Sequence, residues 1–178
     1  MVDRIAMDKG SFLGYGNLDD LELVGRAFGY DIYVDETHSH EISILVYDRN
    51  VTKRFRGIGN KMETRYRVVS KILLTKERMG CSVSMLQVDS RYKGKNLAIK
   101  IYRFLMNRMD ITLMAGTHQS AGGRYVWNKL AKTPGVVVYA KKSPYSKVFD
   151  FPKAGNRELV SKVFDLYDSD AEIFAVAG

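Results

Sequence analysis

CSVSMLQVDSRYKGKNLAIKIYRFLMNRM, residues 81–109, decides how the rest of this chain is read. Its first eight residues are rich in apolar and β-compatible side chains. Residues 89–96 form a short polar segment with an arginine, two lysines and one glycine. From Leu97 the rhythm changes: Leu97, Ile101, Phe104 and Leu105 recur at helical spacing, with Lys100, Arg103 and Arg108 on the other side. The pattern predicts strand, basic loop, helix. A helix N-terminus exposes backbone N–H groups and carries partial positive charge. Preceded by a basic, glycine-containing loop, it predicts a site for a phosphate group.

Outward from this stretch, alternation predicts strands. Residues 30–34 (YDIYV) and 41–47 read as a hairpin, with Ile42, Ile44 and Val46 on one face. Residues 21–35 as a whole are ambiguous, since Leu21, Leu23 and Val24 could open a short helix while residues 30–34 alternate like a strand. Residues 66–74 (YRVVSKILL) read as the antiparallel partner of residues 81–88. Beyond the helix, residues 110–115 read as a strand, 124–132 as a helix stopped by Thr133-Pro134-Gly135, 136–140 as a strand, 156–165 as a helix and 172–176 as a closing strand. Residues 1–20 read as an N-terminal arm. Residues 141–152 read as a connection, and residues 49–67 (RNVTKRFRGIGNKMETRYR), with seven Lys or Arg, as a basic loop. The expected fold is α/β in the α+β sense. It has a mixed, mostly antiparallel central sheet of six to seven strands, flanking helices and a split between the fourth and fifth strands.

Composition narrows the partners. The chain has 178 residues, 46% of them hydrophobic, which suits one domain with a full core. Lys and Arg number 28 against 20 Asp and Glu, a net charge of +8. That favours anionic partners: nucleic acid, a phosphorylated cofactor or an acidic protein. The single cysteine, Cys81, excludes an internal disulfide and fits a reducing cytoplasm. No apolar run approaches the ~20 residues of a membrane span, and residues 1–10 lack the apolar region of a signal peptide. His38 and His40 share a polar turn and His118 stands apart, so no metal site is expected.

The central stretch also resembles a family, the GCN5-related N-acetyltransferases, whose core motif is Gln/Arg-x-x-Gly-x-Gly/Ala between a strand and a helix. Arg91, Tyr92, Lys93, Gly94, Lys95 and Asn96 fill it here, followed by Leu97 and Ala98. Leu86, Gln87, Val88 and Asp89 resemble the strand end before that motif, with Ser90 where proline is usual. The likeness runs over about residues 41–139 and is clearest over 85–105. It implies acetyl-CoA as cofactor. The pyrophosphate would lie on residues 91–98 and the pantetheine arm along Leu86, Gln87 and Val88. Asn96 departs from the usual Gly or Ala. The family's acid, a Tyr seven positions after a conserved Asn, falls at Trp127 when counted from Ser120. An indole is no proton donor at useful pH, which leaves Trp127 as a cofactor contact and Tyr125 as the substitute acid. Glu41, Glu63 and Asp89 are the carboxylates considered as general base, with Glu41 taken first. Residues 120–130 (SAGGRYVWNKL) further resemble phage-encoded members.

The resemblance therefore implies an acyl-CoA-dependent N-acyltransferase acting on an amine of a protein or small molecule, in the cytoplasm, or in a virion if phage-encoded. Two alternatives stand beside it: a binding protein of the same fold without catalysis, and a basic protein associated with nucleic acid.

Overall fold

The structure is a computed structural model, and it describes residues 5–6, 13–19, 21–116, 120–141, 149–150 and 172–178. Most of the expected 141–152 connection and the expected 156–165 helix lie outside these residues. The chain forms two compact units. One comprises Met1–Thr75 with Ser84–Leu97, the other Lys76–Val83 with Ala98–Gly178.

The first unit is built from β-strands. After short β1 (Ile5–Ala6) and β2 (Tyr15–Gly16) come β3 (Glu22–Ala27), β4 (Tyr30–His38), β5 (Glu41–Arg56) and β6 (Met62–Glu77). The ambiguous segment before Tyr30 is a strand: Phe28 and Gly29, both at positive φ, turn the chain so that β3 pairs antiparallel with β4. The expected β4–β5 hairpin forms, with Ile32 opposite Val46 and Val34 opposite Ile44. Strands β5 and β6 pair antiparallel from Glu41–Thr75 out to Arg56–Met62, with bulges after Val46 and Asp48. Alternation puts Ile42, Ile44, Val46, Ile72 and Leu74 on one face, all buried. The opposite face is buried too, through Leu13, Tyr33, Leu45, Tyr47 and Val68. Strand β7 (Gly80–Val88) lies next to β6 in the sheet. The Ser84 hydroxyl donates to the Leu73 carbonyl and the Ser70 hydroxyl to the Gln87 carbonyl. Residue numbers rise on one strand as they fall on the other, so this pairing is antiparallel, as expected.

The second unit holds the helices. Helix α1 (Leu97–Arg108) buries Ile101, Tyr102, Leu105 and Met106 and exposes Arg103, Asn107 and Arg108. Arg108 in its last turn complements the helix dipole, and Asp110 at φ 52° redirects the chain after it. Strand β8 (Leu113–Ala115) runs parallel to the start of β7, pairing with residues 81–83. Helix α2 (Ala121–Leu130) begins three residues before the expected start. The Ser120 hydroxyl caps it by accepting from the Gly123 N–H at 3.1 Å. Strand β9 (Val136–Lys141) pairs with β10 (Phe149–Asp150) and with β11 (Glu172–Ala177), and β11 also pairs antiparallel with β8. Tyr139 and Phe174 stack across β9 and β11 with centroids 5.1 Å apart.

The expected fold class needs correction. The hydrogen-bonded order is β10-β9-β11-β8-β7-β6-β5-β4-β3, nine strands in unbroken succession. A six- to seven-stranded sheet of the acetyltransferase type, split between its fourth and fifth strands, is not what forms. Two α-helices, α1 and α2, are present among the described residues. There are two physical reasons for the sheet that forms. Segments read as loop or as ambiguous satisfy their backbone groups by pairing, so residues 22–27 become a strand and residues 49–67 extend β5 and β6. The β7–β8 ladder joins the two strands at residues 81–83, where the split was expected.

That ladder depends on Gly80. A Cβ there would lie 2.5 Å from the Thr112 carbonyl oxygen, next to the 2.8 Å hydrogen bond from the Cys81 N–H to that same oxygen. Backbone cannot yield as a side-chain tip can. Gly80→Ala is therefore expected to lower stability by about 1–3 kcal/mol, the usual cost of overpacking, read as a lower urea midpoint at unchanged slope.

Candidate functional site

The site is built where β7 ends. Asp89, fully buried, closes the strand by donating its backbone N–H to the Val69 carbonyl at 3.0 Å. Its carboxylate accepts from the Arg91 N–H at 3.0 Å and so caps the 3-10 turn Ser90–Tyr92. The same carboxylate forms an ion pair with the buried Arg67 guanidinium of β6. Burial by itself lowers the Arg67 pKa. The hydrogen bond and charge of Asp89, together with Tyr15, outweigh it and raise the pKa, so the guanidinium stays charged. Arg67 also lies beneath the Tyr15 ring, at 5.2 Å.

Tyr92 ties the loop down a second time. Its ring is buried edge-on against Tyr30, with centroids 5.9 Å apart, and its hydroxyl donates to Asp48 at 3.0 Å. Burial first, then the Asp48 carboxylate, push its pKa up to about 12. The residues that follow are open to solvent. Arg91, Lys93, Gly94, Lys95 and Asn96 are all exposed, and Lys95 reaches back over the Tyr92 ring at 5.1 Å. Gly94 and Asn96 adopt left-handed φ of 78° and 55°. A Cβ on Gly94 would meet nothing within 4 Å, so space lies open above the loop. Asn is among the few side chains that tolerate such a φ.

The strand leading into the loop presents a free edge of its unit. Gln87 and Asp89 direct backbone groups toward β6, so alternation points those of Leu86 and Val88 the other way. The β7–β8 ladder involves residues 81–83 and does not reach them. Leu86, Gln87 and Val88 are half-buried.

In the first unit, the carboxylates expected as general base are either distant from this loop or held in ion pairs. Glu41 opens β5 opposite Thr75, six residues along β6 from Val69, which at ~3.3 Å per residue is about 20 Å from the loop. Glu63 pairs with Arg65 at 3.3 Å. Asp89 is committed to Arg67 and to the Arg91 N–H. In the second unit, Trp127 is a core residue, 2% exposed and packed at 6.2 Å from Tyr102. Tyr125 is 62% exposed, and its hydroxyl accepts from Lys129 at 3.4 Å. Sequence reasoning missed Asp48, Tyr30 and Arg67. Nothing marks Asp48 along the chain, and Arg67 reads as one more charge in a basic run. Only strand pairing brings them beneath the loop.

Comparison with protein-family models, with curated proteins and with solved structures finds no match to this chain. No helix among the described residues is long and apolar enough to cross a membrane.

Two predictions follow from the anchors of the loop. Arg67→Met removes the charge facing the buried Asp89 and is expected to cost about 3–5 kcal/mol in urea unfolding. Adding Asp89→Asn to it recovers part of that loss. Tyr92 supplies a pH signature. Its folded pKa lies above the ordinary value of 10.0, so its contribution is full below pH 10 and is lost as pH rises toward about 12. The stability difference between wild type and Tyr92→Phe should shrink across that window in unfolding curves taken pH by pH.

Proposed function

We propose that the protein is an acyl-CoA-dependent N-acyltransferase whose 91–96 loop binds the pyrophosphate of coenzyme A. The observation that carries the reading is the loop itself. A pinned strand end leads into exposed Arg91, Lys93 and Lys95, with left-handed Gly94 and Asn96 immediately before α1. The first turn of α1 contains no acidic residue, so positive side chains gather at the positive end of a helix dipole. That arrangement costs energy unless an anion is bound. The donor set and the open space above Gly94 suit a pyrophosphate. The motif resemblance supports coenzyme A in particular.

When bound, an acyl-CoA supplies an activated thioester carbon for attack by an amine. Loop amides with Lys93 and Lys95 hold the phosphates. Leu86 and Val88 offer backbone groups to an extended arm, in the manner of an added strand, and the Val88 N–H is the donor available to a developing oxyanion. Asp48, half-buried beneath the loop, would accept the amine's proton, and coenzyme A would leave as its thiolate, to be protonated by solvent. Proximity and oriented donors then account for most of the acceleration.

A second reading, binding without turnover, has its own support. Trp127 occupies the position of the family's acid with its ring in the core, and the Tyr125 hydroxyl faces Lys129. Calorimetry with coenzyme A and acetyl-CoA tests the shared premise. Micromolar binding, weakened at least tenfold by the double variant Lys93→Glu with Lys95→Glu, is expected. Absence of heat at millimolar cofactor removes both readings. Free thiol released from acetyl-CoA in the presence of an amine then separates the enzyme from the binder.

A further inference from the structure

Residues 49–67 carry seven Lys or Arg and one acid; Arg49 is paired with Asp31 and buried Arg67 with Asp89, which leaves a net +4 over residues 52–66. The structure shapes this run into a two-stranded ribbon. Beyond the bulge after Asp48, Thr52 pairs with Tyr66, Lys53 with Arg65, Arg54 with Thr64, Phe55 with Glu63 and Arg56 with Met62. The tip is a tight turn in which the Gly57 N–H donates to the Lys61 carbonyl at 2.8 Å, with Gly59 and Asn60 at positive φ.

The two faces of the ribbon differ. On one, Phe55 lies 5.9 Å from Tyr15 and is flanked by Lys53 at 5.6 Å and Arg65 at 4.9 Å. The single acid, Glu63, is on this face and is held by Arg65. Alternation puts Thr52, Arg54, Arg56, Met62 and Thr64 on the other face, and all five are exposed. That face has no carboxylate. It offers two guanidinium groups, two hydroxyls and a methionine that is 59% exposed, with half-buried Tyr66 at its base.

We propose that this ribbon is a docking surface for duplex DNA, laid into the major groove with Arg54 and Arg56 on the phosphates. Charge complementarity selects a polyanion. The geometry selects among polyanions. The major groove of B-form DNA, about 12 Å wide, admits a two-stranded ribbon, whereas that of A-form RNA is too narrow for side chains to read. Single strands are bound chiefly by stacking bases on open aromatic faces. Here Phe55 is occupied by Lys53 and Arg65, and Tyr66 lies under Arg49 at 6.0 Å.

The test is fluorescence anisotropy with a labelled 30-base-pair DNA duplex between 50 and 200 mM salt. Wild type should bind and weaken steeply with salt, the slope of log K against log salt growing by about 0.9 per phosphate engaged. The exposed double variant Arg54→Gln with Arg56→Gln should flatten that slope by about 2 and leave coenzyme A binding at the 91–96 loop unchanged. Lys71→Gln with Lys76→Gln, an equal charge loss on β6 outside the ribbon, should leave the slope as it was. The proposal is overturned by absence of duplex binding at 50 mM salt, or by equal flattening in both double variants. It is also overturned if a single-stranded oligonucleotide of the same length binds more tightly than the duplex, or if poly-glutamate competes as well as DNA does.

Discussion

The ion pair between Arg67 and Asp89 is the constraint around which the first unit is arranged. Both groups are buried, and placing two charges out of water costs several kcal/mol per ion before their attraction is counted. The cost is offset because each group has further partners. Asp89 also accepts from the Arg91 N–H and so starts the turn, while Arg67 lies under Tyr15. Strand β6 and the end of β7 are thereby locked in register at the point where the chain leaves the sheet. The exposed basic residues of the 91–96 loop inherit their position from that lock.

A second anchor makes the loop rigid at one side and open at the other. Tyr92 is buried against Tyr30 and bonded to Asp48, and two residues later Gly94 has nothing above it. A loop held from beneath while its amides stay accessible is preorganised for an anion, and little ordering entropy remains to be lost on binding. The same logic extends to the ribbon. Its aromatic and acidic residues are used internally, and its exposed face keeps only cations, hydroxyls and one methionine.

Much of this was legible in the chain. Period-two alternation marked β4 and the buried half of β5, and a run rich in apolar, β-compatible residues marked β7. The shift to helical spacing at Leu97 marked α1, because burying one face imposes one repeat on the residues that form it. The basic loop between them was visible as well. The 49–67 segment was not, since its strands pair with each other beyond the bulge and leave one face in solvent. Without a core to face, no apolar stripe records the strand. Residues 22–27 were ambiguous for a similar reason, as β3 is an edge strand with little burial. The split expected in the sheet came from resemblance, and hydrogen bonding between β7 and β8 overrode it. Of the expected catalytic residues, Glu41 lies at the far end of β5 and Tyr125 faces Lys129, while Trp127, expected as a cofactor contact, went to the core.

The amino-acid sequence by itself determined the local order of elements and the charge they carry, because periodicity and composition act over a few neighbours. It thus specified a strand, a basic glycine loop and a helix in succession. Only the tertiary structure decided which distant residues stand under that loop. Arg67, Asp48 and Tyr30 reach it through strand register, and register depends on pairings between segments far apart in the chain. The same long-range pairing turned a basic run into a ribbon with two unlike faces.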